Sequence, residues 1–173
     1  MTSTLITSLP FEITEPGSYH LESDLSGPRG EYGLKVSAEN VSLDLRGHTL
    51  SSDAETVLLL FAPKFTLRSG TLKGRGPALS AAPHIKADEC LLEDLEVKGG
   101  LFIGGRALVC RRVSVRGGSF GIRAGEEGRL SHCSVEGCLL GIEVGAGSHM
   151  ERCTVKECEE GVYAFGSHFE PTY

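Results

Sequence analysis

The chain has 173 residues, 40% of them hydrophobic, and a formal net charge of −6 from 17 Lys and Arg against 23 Asp and Glu. That length and apolar share suit one domain that buries a core without disulfides or metal, and they exclude staple-dependent miniproteins and disordered chains. A net acidic chain argues against a nucleic-acid partner, and no run reaches the ~18 apolar residues of a membrane span, the longest being VLLLFA at 57–62.

The N-terminus, MTSTLITSLPFEIT, lacks the basic start and continuous apolar core of a secretory signal. Taken from Met1, it points to a cytoplasmic protein whose thiols stay reduced. Glycine supplies 23 residues, about twice the usual share and without a collagen period, so frequent turns are expected. Charge is banded: residues 1–60 hold 3 basic and 9 acidic groups, residues 61–130 hold 12 and 7, and residues 131–173 hold 2 and 7. The basic middle suits an anionic ligand, with a solvated mixed surface as the plainer alternative.

Residues 1–38 read as an N-terminal cap and lead-in. From residue 39, short alternating segments bounded by glycine recur as LDLRGHTL (43–50), LRSGTLKG (67–74) and LEDLEVKGG (92–100). Residues 111–130, 131–150 and 151–170 then repeat with a period of twenty, aligning Val115 with Val135 and Val155, and Gly121 with Gly141 and Gly161. Upstream, Val97, Leu72 and Leu50 join the valine stack at looser spacing. Alternations such as V-S-V and I-R-A have the period of a strand, and no stretch gives an amphipathic helix. Strands at this interval lie too far apart for hairpins, so each turn is expected to pair in parallel with the next. The predicted fold is all-β: a parallel β-helix of about seven rungs over 39–165, each about 4.8 Å thick, forming a rod roughly 34 Å long. Residues 166–173 read as the C-terminal exit, which together with the lead-in caps the ends against self-association; uncapped ends would instead allow end-to-end assembly.

ITEPGSYHLESDL (13–25), ENVSLDLRGHTLSS (39–52) and the rungs from 87 to 165 resemble the right-handed parallel β-helices of the pectate-lyase-like superfamily over nearly the whole chain. The resemblance implies a right-handed single-stranded solenoid but no particular activity, because the fold hosts lyases, hydrolases, epimerases and noncatalytic proteins. Nothing in the chain resembles the clustered aspartates of a pectate-lyase calcium site, the N-T-D, D-D and G-H-G set of polygalacturonases, or the D-P-H-D of alginate epimerases. No metal or cofactor is expected.

Four of the six cysteines form two C-x4-C pairs, Cys133/Cys138 and Cys153/Cys158. In the twenty-residue register they stack on Val113 and Gly118, so an interior ladder is the leading reading. A disulfide between stacked thiols is opposed by their parallel aim, and a four-thiolate zinc site by the uncommon spacing. Cys90 and Cys110 are assigned to the apolar stacks Leu67–Cys90–Leu92 and Cys110–Leu130–Met150.

With the valines inward, the alternate residues form an outer grid: Arg112, Ser114 and Arg116, then His132, Ser134 and Glu136, then Arg152, Thr154 and Lys156. Glu96 and Lys98, and then Thr71 and Lys73, extend it. His132 between two arginines suits a general base, Arg112 and Arg152 suit carboxylate clamps, and Glu136 a charge partner. Arg116, Ser134, Lys156 and Lys98 are candidate ligand contacts. The plainer alternative is a charge-alternating solvent face. Arg123, Glu143 and Tyr163 form a second outward ladder, and His48 is expected to be a hydrogen-bonded turn residue. The expected function is a binding or scaffold protein presenting this face to an anionic carbohydrate or sugar acid. The alternatives are a metal-independent lyase, epimerase or isomerase, and a self-assembling structural protein.

Overall fold

The computed structural model describes residues 3–75, 78–81, 88–103 and 105–165. His84, His168 and the proposed exit at 166–173 lie outside them. The strands are β1 Thr4–Leu5, β2 Phe11–Ile13, β3 Gly17–His20, β4 Leu25–Gly27, β5 Tyr32–Val36, β6 Val41–Asp44, β7 Thr49–Ser52, β8 Thr56–Leu60, β9 Phe65–Gly74 and β10 Leu79–Ala81. They continue as β11 Leu91–Lys98, β12 Leu101–Ile103, β13 Val109–Arg116, β14 Phe120–Ala124, β15 Arg129–Ser131, β16 Ser134–Glu136, β17 Leu140–Val144, β18 His149–Glu151, β19 Thr154–Lys156 and β20 Glu160–Ala164. Every pairing is parallel, there is no helix among the described residues, and the chain winds as a β-solenoid of about 7 turns. Pairing begins with β1 on β3, inside the stretch read above as a cap.

Each coil has three faces. The first carries β3, β6, the front halves of β9, β11 and β13, then β15 and β18. The second carries β4, β7, the rear halves of those long strands, then β16 and β19. The third is the eight-stranded sheet β2-β5-β8-β10-β12-β14-β17-β20. Left-handed residues separate the faces. Ser69, Asp94, Arg112, His132 and Arg152 take φ between 51 and 59 at one corner, Lys64, Glu89, Ala107 and Glu127 take 56 or 57 at another, and Gly117, Gly137 and Glu157 stand at the third. This conformation costs a non-glycine residue roughly 1–2 kcal/mol. It persists because ladders on both sides fix the bend and its amides still bond to the next coil, as in His132 N–H to Glu151 O at 3.0 Å and Lys64 N–H to Asp88 O at 2.8 Å.

Inward residues stack coil over coil. Leu50, Leu72, Val97, Val115, Val135 and Val155 form one column, as the register implied. A second runs Leu43, Leu67, Leu92, Cys110, Leu130 and Met150. Cys90 does not join it: Leu91 pairs with Thr66, which sets Cys90 over Phe65. The glycine column has a packing cause. A Cβ on Gly121 would overlap the Val135 side chain and the Gly141 carbonyl, and one on Gly141 would overlap the Gly161 carbonyl. The core runs from Ile6 to Val144, and on the last described coil Cys153, Val155, Cys158 and Ala164 are only partly covered.

Candidate functional site

The corner divides the expected grid. Arg112, His132 and Arg152 occupy the left-handed bend, whereas Ser114, Arg116, Ser134, Glu136 and Lys156 lie beyond it on the second face, so the patch is folded along an edge instead of flat. Simple alternation misplaces these three residues because the bend inserts one residue between inward positions: Cys110 and Val113 are both buried, three apart.

Most of these side chains are already engaged. Arg112 Nε lies 2.5 Å from Asp94 Oδ1, and its Nη2 lies 2.9 Å from both Asp94 Oδ2 and Glu93 Oε1. Hydrogen bonding to Arg112 holds the Asp94 carboxyl below its usual range and raises the guanidinium in turn. Arg152 Nη1 donates to His132 Nε2 at 3.3 Å, occupying the lone pair a base would use. Its Nε is 3.6 Å from Glu151. Arg116 pairs with Glu136 at 3.2 Å, Ser134 with Ser114 at 3.0 Å, and Lys98 with Glu96 at 3.6 Å. Of Arg112, Arg116, His132, Ser134, Glu136, Arg152, Lys156 and Lys98, Lys98 alone lines a described hollow. In the second ladder Arg123 Nε meets Glu143 Oε2 at 3.0 Å; Glu143 is buried, and Tyr163 is exposed.

Hollows open elsewhere on the second face. One of about 370 Å³ is lined by Asp24, Ser26, Thr49, Ser51, Thr71, Lys73 and Lys98. Another, of about 290 Å³, shares Ser26, Ser51 and Lys73 and adds Ser52, Asp53 and Arg75. Strand register builds this surface: Thr49 pairs with Thr71 and Thr71 with Glu96, while Ser26, Ser51, Lys73 and Lys98 form the parallel outward column. Short hydroxyl side chains beside long lysines leave the depression. Asp24 is fixed there by Thr49 N–H at 2.9 Å and His48 Nδ1 at 3.4 Å, so His48 is a bonded turn residue. Arg75 is held by Asp53 at 3.1 Å, whereas Lys73 has no ion-pair partner among the described residues. The Leu50–Leu72 stack already placed Thr71 and Lys73 outside; the same register, carried one coil further back, would have found Ser51, Thr49 and Ser26.

A third hollow, of about 360 Å³, lies on the first face between Arg111, Arg129, Ser131 and His149.

All six cysteines are free, with Cys90, Cys110, Cys133 and Cys138 buried and Cys153 and Cys158 half-buried. Burial pushes the Cys90 and Cys138 thiols up to about 11, and Cys110 further. The Cys133 thiol is raised by its hydrogen bond to Cys153 and then by burial, while that same bond lowers Cys153 to about 7. Among the described residues no three His, Cys, Asp or Glu side chains are placed to hold a metal ion, and no helix is long and apolar enough to cross a membrane. Comparisons with known protein families, curated proteins and solved structures return no match.

Proposed function

We propose that this solenoid is a binding or scaffold protein that takes an acidic sugar, or an anionic carbohydrate bearing one, on its second face. The observation that carries the reading is Lys73: a cation without an ion-pair partner among the described residues, standing with Lys98 over a hollow rimmed by the hydroxyls of Ser26, Thr49, Ser51 and Thr71. A carboxylate on the lysines and sugar hydroxyls on the Ser and Thr column match this donor and acceptor set. The solenoid architecture is compatible with kinship to the pectate-lyase-like superfamily, and the openness of the hollow favours holding a ligand over transforming it. Few desolvated contacts imply weak affinity for one sugar unit, a Kd on the order of 1 mM. Titration of glucuronate and galacturonate against glucose and galactose, followed by NMR, tests this. The acids are expected to shift the Thr49, Ser51 and Thr71 amides, and Lys73→Ala to weaken binding about tenfold. Equal binding of the neutral sugars, or an unchanged titration in the variant, would reject the reading.

A further inference from the structure

Two thiol pairs join the last two described coils. Ser134 pairs with Thr154, which sets Cys133 against Cys153 with stacked Cα atoms about 4.8 Å apart. Cys138 meets Cys158 in the same way. Within the first pair the partners differ in access: Cys133 is 1% exposed, whereas Cys153 is half-buried on the outermost described coil. The Cys133 thiol lies 3.4 Å from Ser131 O and 3.6 Å from Cys110 O, and the Cys153 thiol lies 3.5 Å from Glu151 O and 3.6 Å from Leu130 O. A solvent-reachable thiol stacked on a buried one has the arrangement of an attacking and a resolving cysteine.

We infer that Cys153 and Cys133 form a redox-modification site for low-molecular-weight disulfides, with Cys153 as the attacking thiol and Cys133 as the resolving one. The Cys153 thiolate attacks one sulfur of the small disulfide, forming a mixed disulfide as the first small thiolate leaves. Cys133 then attacks the Cys153 sulfur, the Cys133–Cys153 bond forms, and the second small thiolate departs. Two protein thiols are oxidised by two electrons, the small disulfide is reduced to two thiols, and the two protein protons pass to the leaving thiolates. The Cα spacing lies inside the disulfide window of about 4.4–6.8 Å. The parallel aim of the stacked side chains strains the bond, so it is readily reduced and the change is reversible. The lowered Cys153 supplies thiolate near neutral pH, in keeping with the geometry.

Incubation of the folded protein with excess glutathione disulfide, followed by peptide mass spectrometry, tests the inference. In the native protein the Cys133 and Cys153 peptides are expected to become linked with a mass loss of about 2 Da. Cys133→Val is expected to trap the glutathione adduct on Cys153. The replacement suits the core because Val113 holds the equivalent place one coil earlier. Cys153→Val is expected to leave Cys133 unmodified. A lasting adduct on Cys153 in the native protein, or no reaction at Cys153, would each overturn the assignment.

Discussion

At the scale of single residues, Arg112 ties its coil to the one before. Its guanidinium is spread over Asp94 and Glu93, both in the coil before. Because Asp94 is held below the ordinary carboxylate range, its contribution to stability is present above that range and is lost as pH falls through its folded value. Arg112→Gln removes the charge and the fork, so the Asp94 carboxyl is expected to titrate upward, near an ordinary aspartate, by carbon NMR. An unmoved titration would mean that other groups hold Asp94 down.

Among the elements, the glycine column separates two causes that look alike in the sequence. Gly121, Gly141 and Gly161 recur at one position, yet only the first two face a following described coil that a Cβ would strike; Gly161 has nothing within 4 Å. Gly141→Ala is expected to destabilise the fold by about 1–3 kcal/mol through overpacking, and Gly161→Ala to change it by less than about 0.5 kcal/mol, both read from urea denaturation. Equal losses at the two positions would refute a close-approach role. The columns were legible in the sequence because strict repetition of Val115, Val135 and Val155 fixes which side of each strand is inward. The corners were not, since Asp94, Arg112, His132 and Arg152 share no side-chain character that announces a left-handed backbone. The grid centred on His132 spans such a bend, and the hollow around Lys73 depends on Asp24, Ser26, Thr49 and Ser51, where the repeat is loosest.

For the whole molecule, the thiols inside the rod make alkaline pH a stability variable. Unfolded cysteines ionise near 8.5, whereas Cys90 and Cys138 hold their protons to about 11 in the fold and Cys110 beyond that. The unfolded chain therefore binds fewer protons over this window, and stability falls as pH rises from about 8.5 towards 11. For Cys90 alone the loss is about 3 kcal/mol. Urea midpoints measured by circular dichroism are expected to drop across that interval, and less so in Cys90→Val; a flat profile would refute buried thiols as the cause. Cys153 acts in the opposite sense, its contribution being lost as pH falls through about 7.

The coiled path also converts a one-dimensional property into a three-dimensional one. Because the described chain advances along the axis one coil at a time, order in the sequence is position along the rod, and the acidic, basic and acidic bands become successive zones of alternating charge. The rod is thus an electrostatic quadrupole about 34 Å long, longer than the ~10 Å screening length at 0.1 M salt, so the bands do not cancel at contact distance. An acidic zone repels an acidic zone and attracts a basic one.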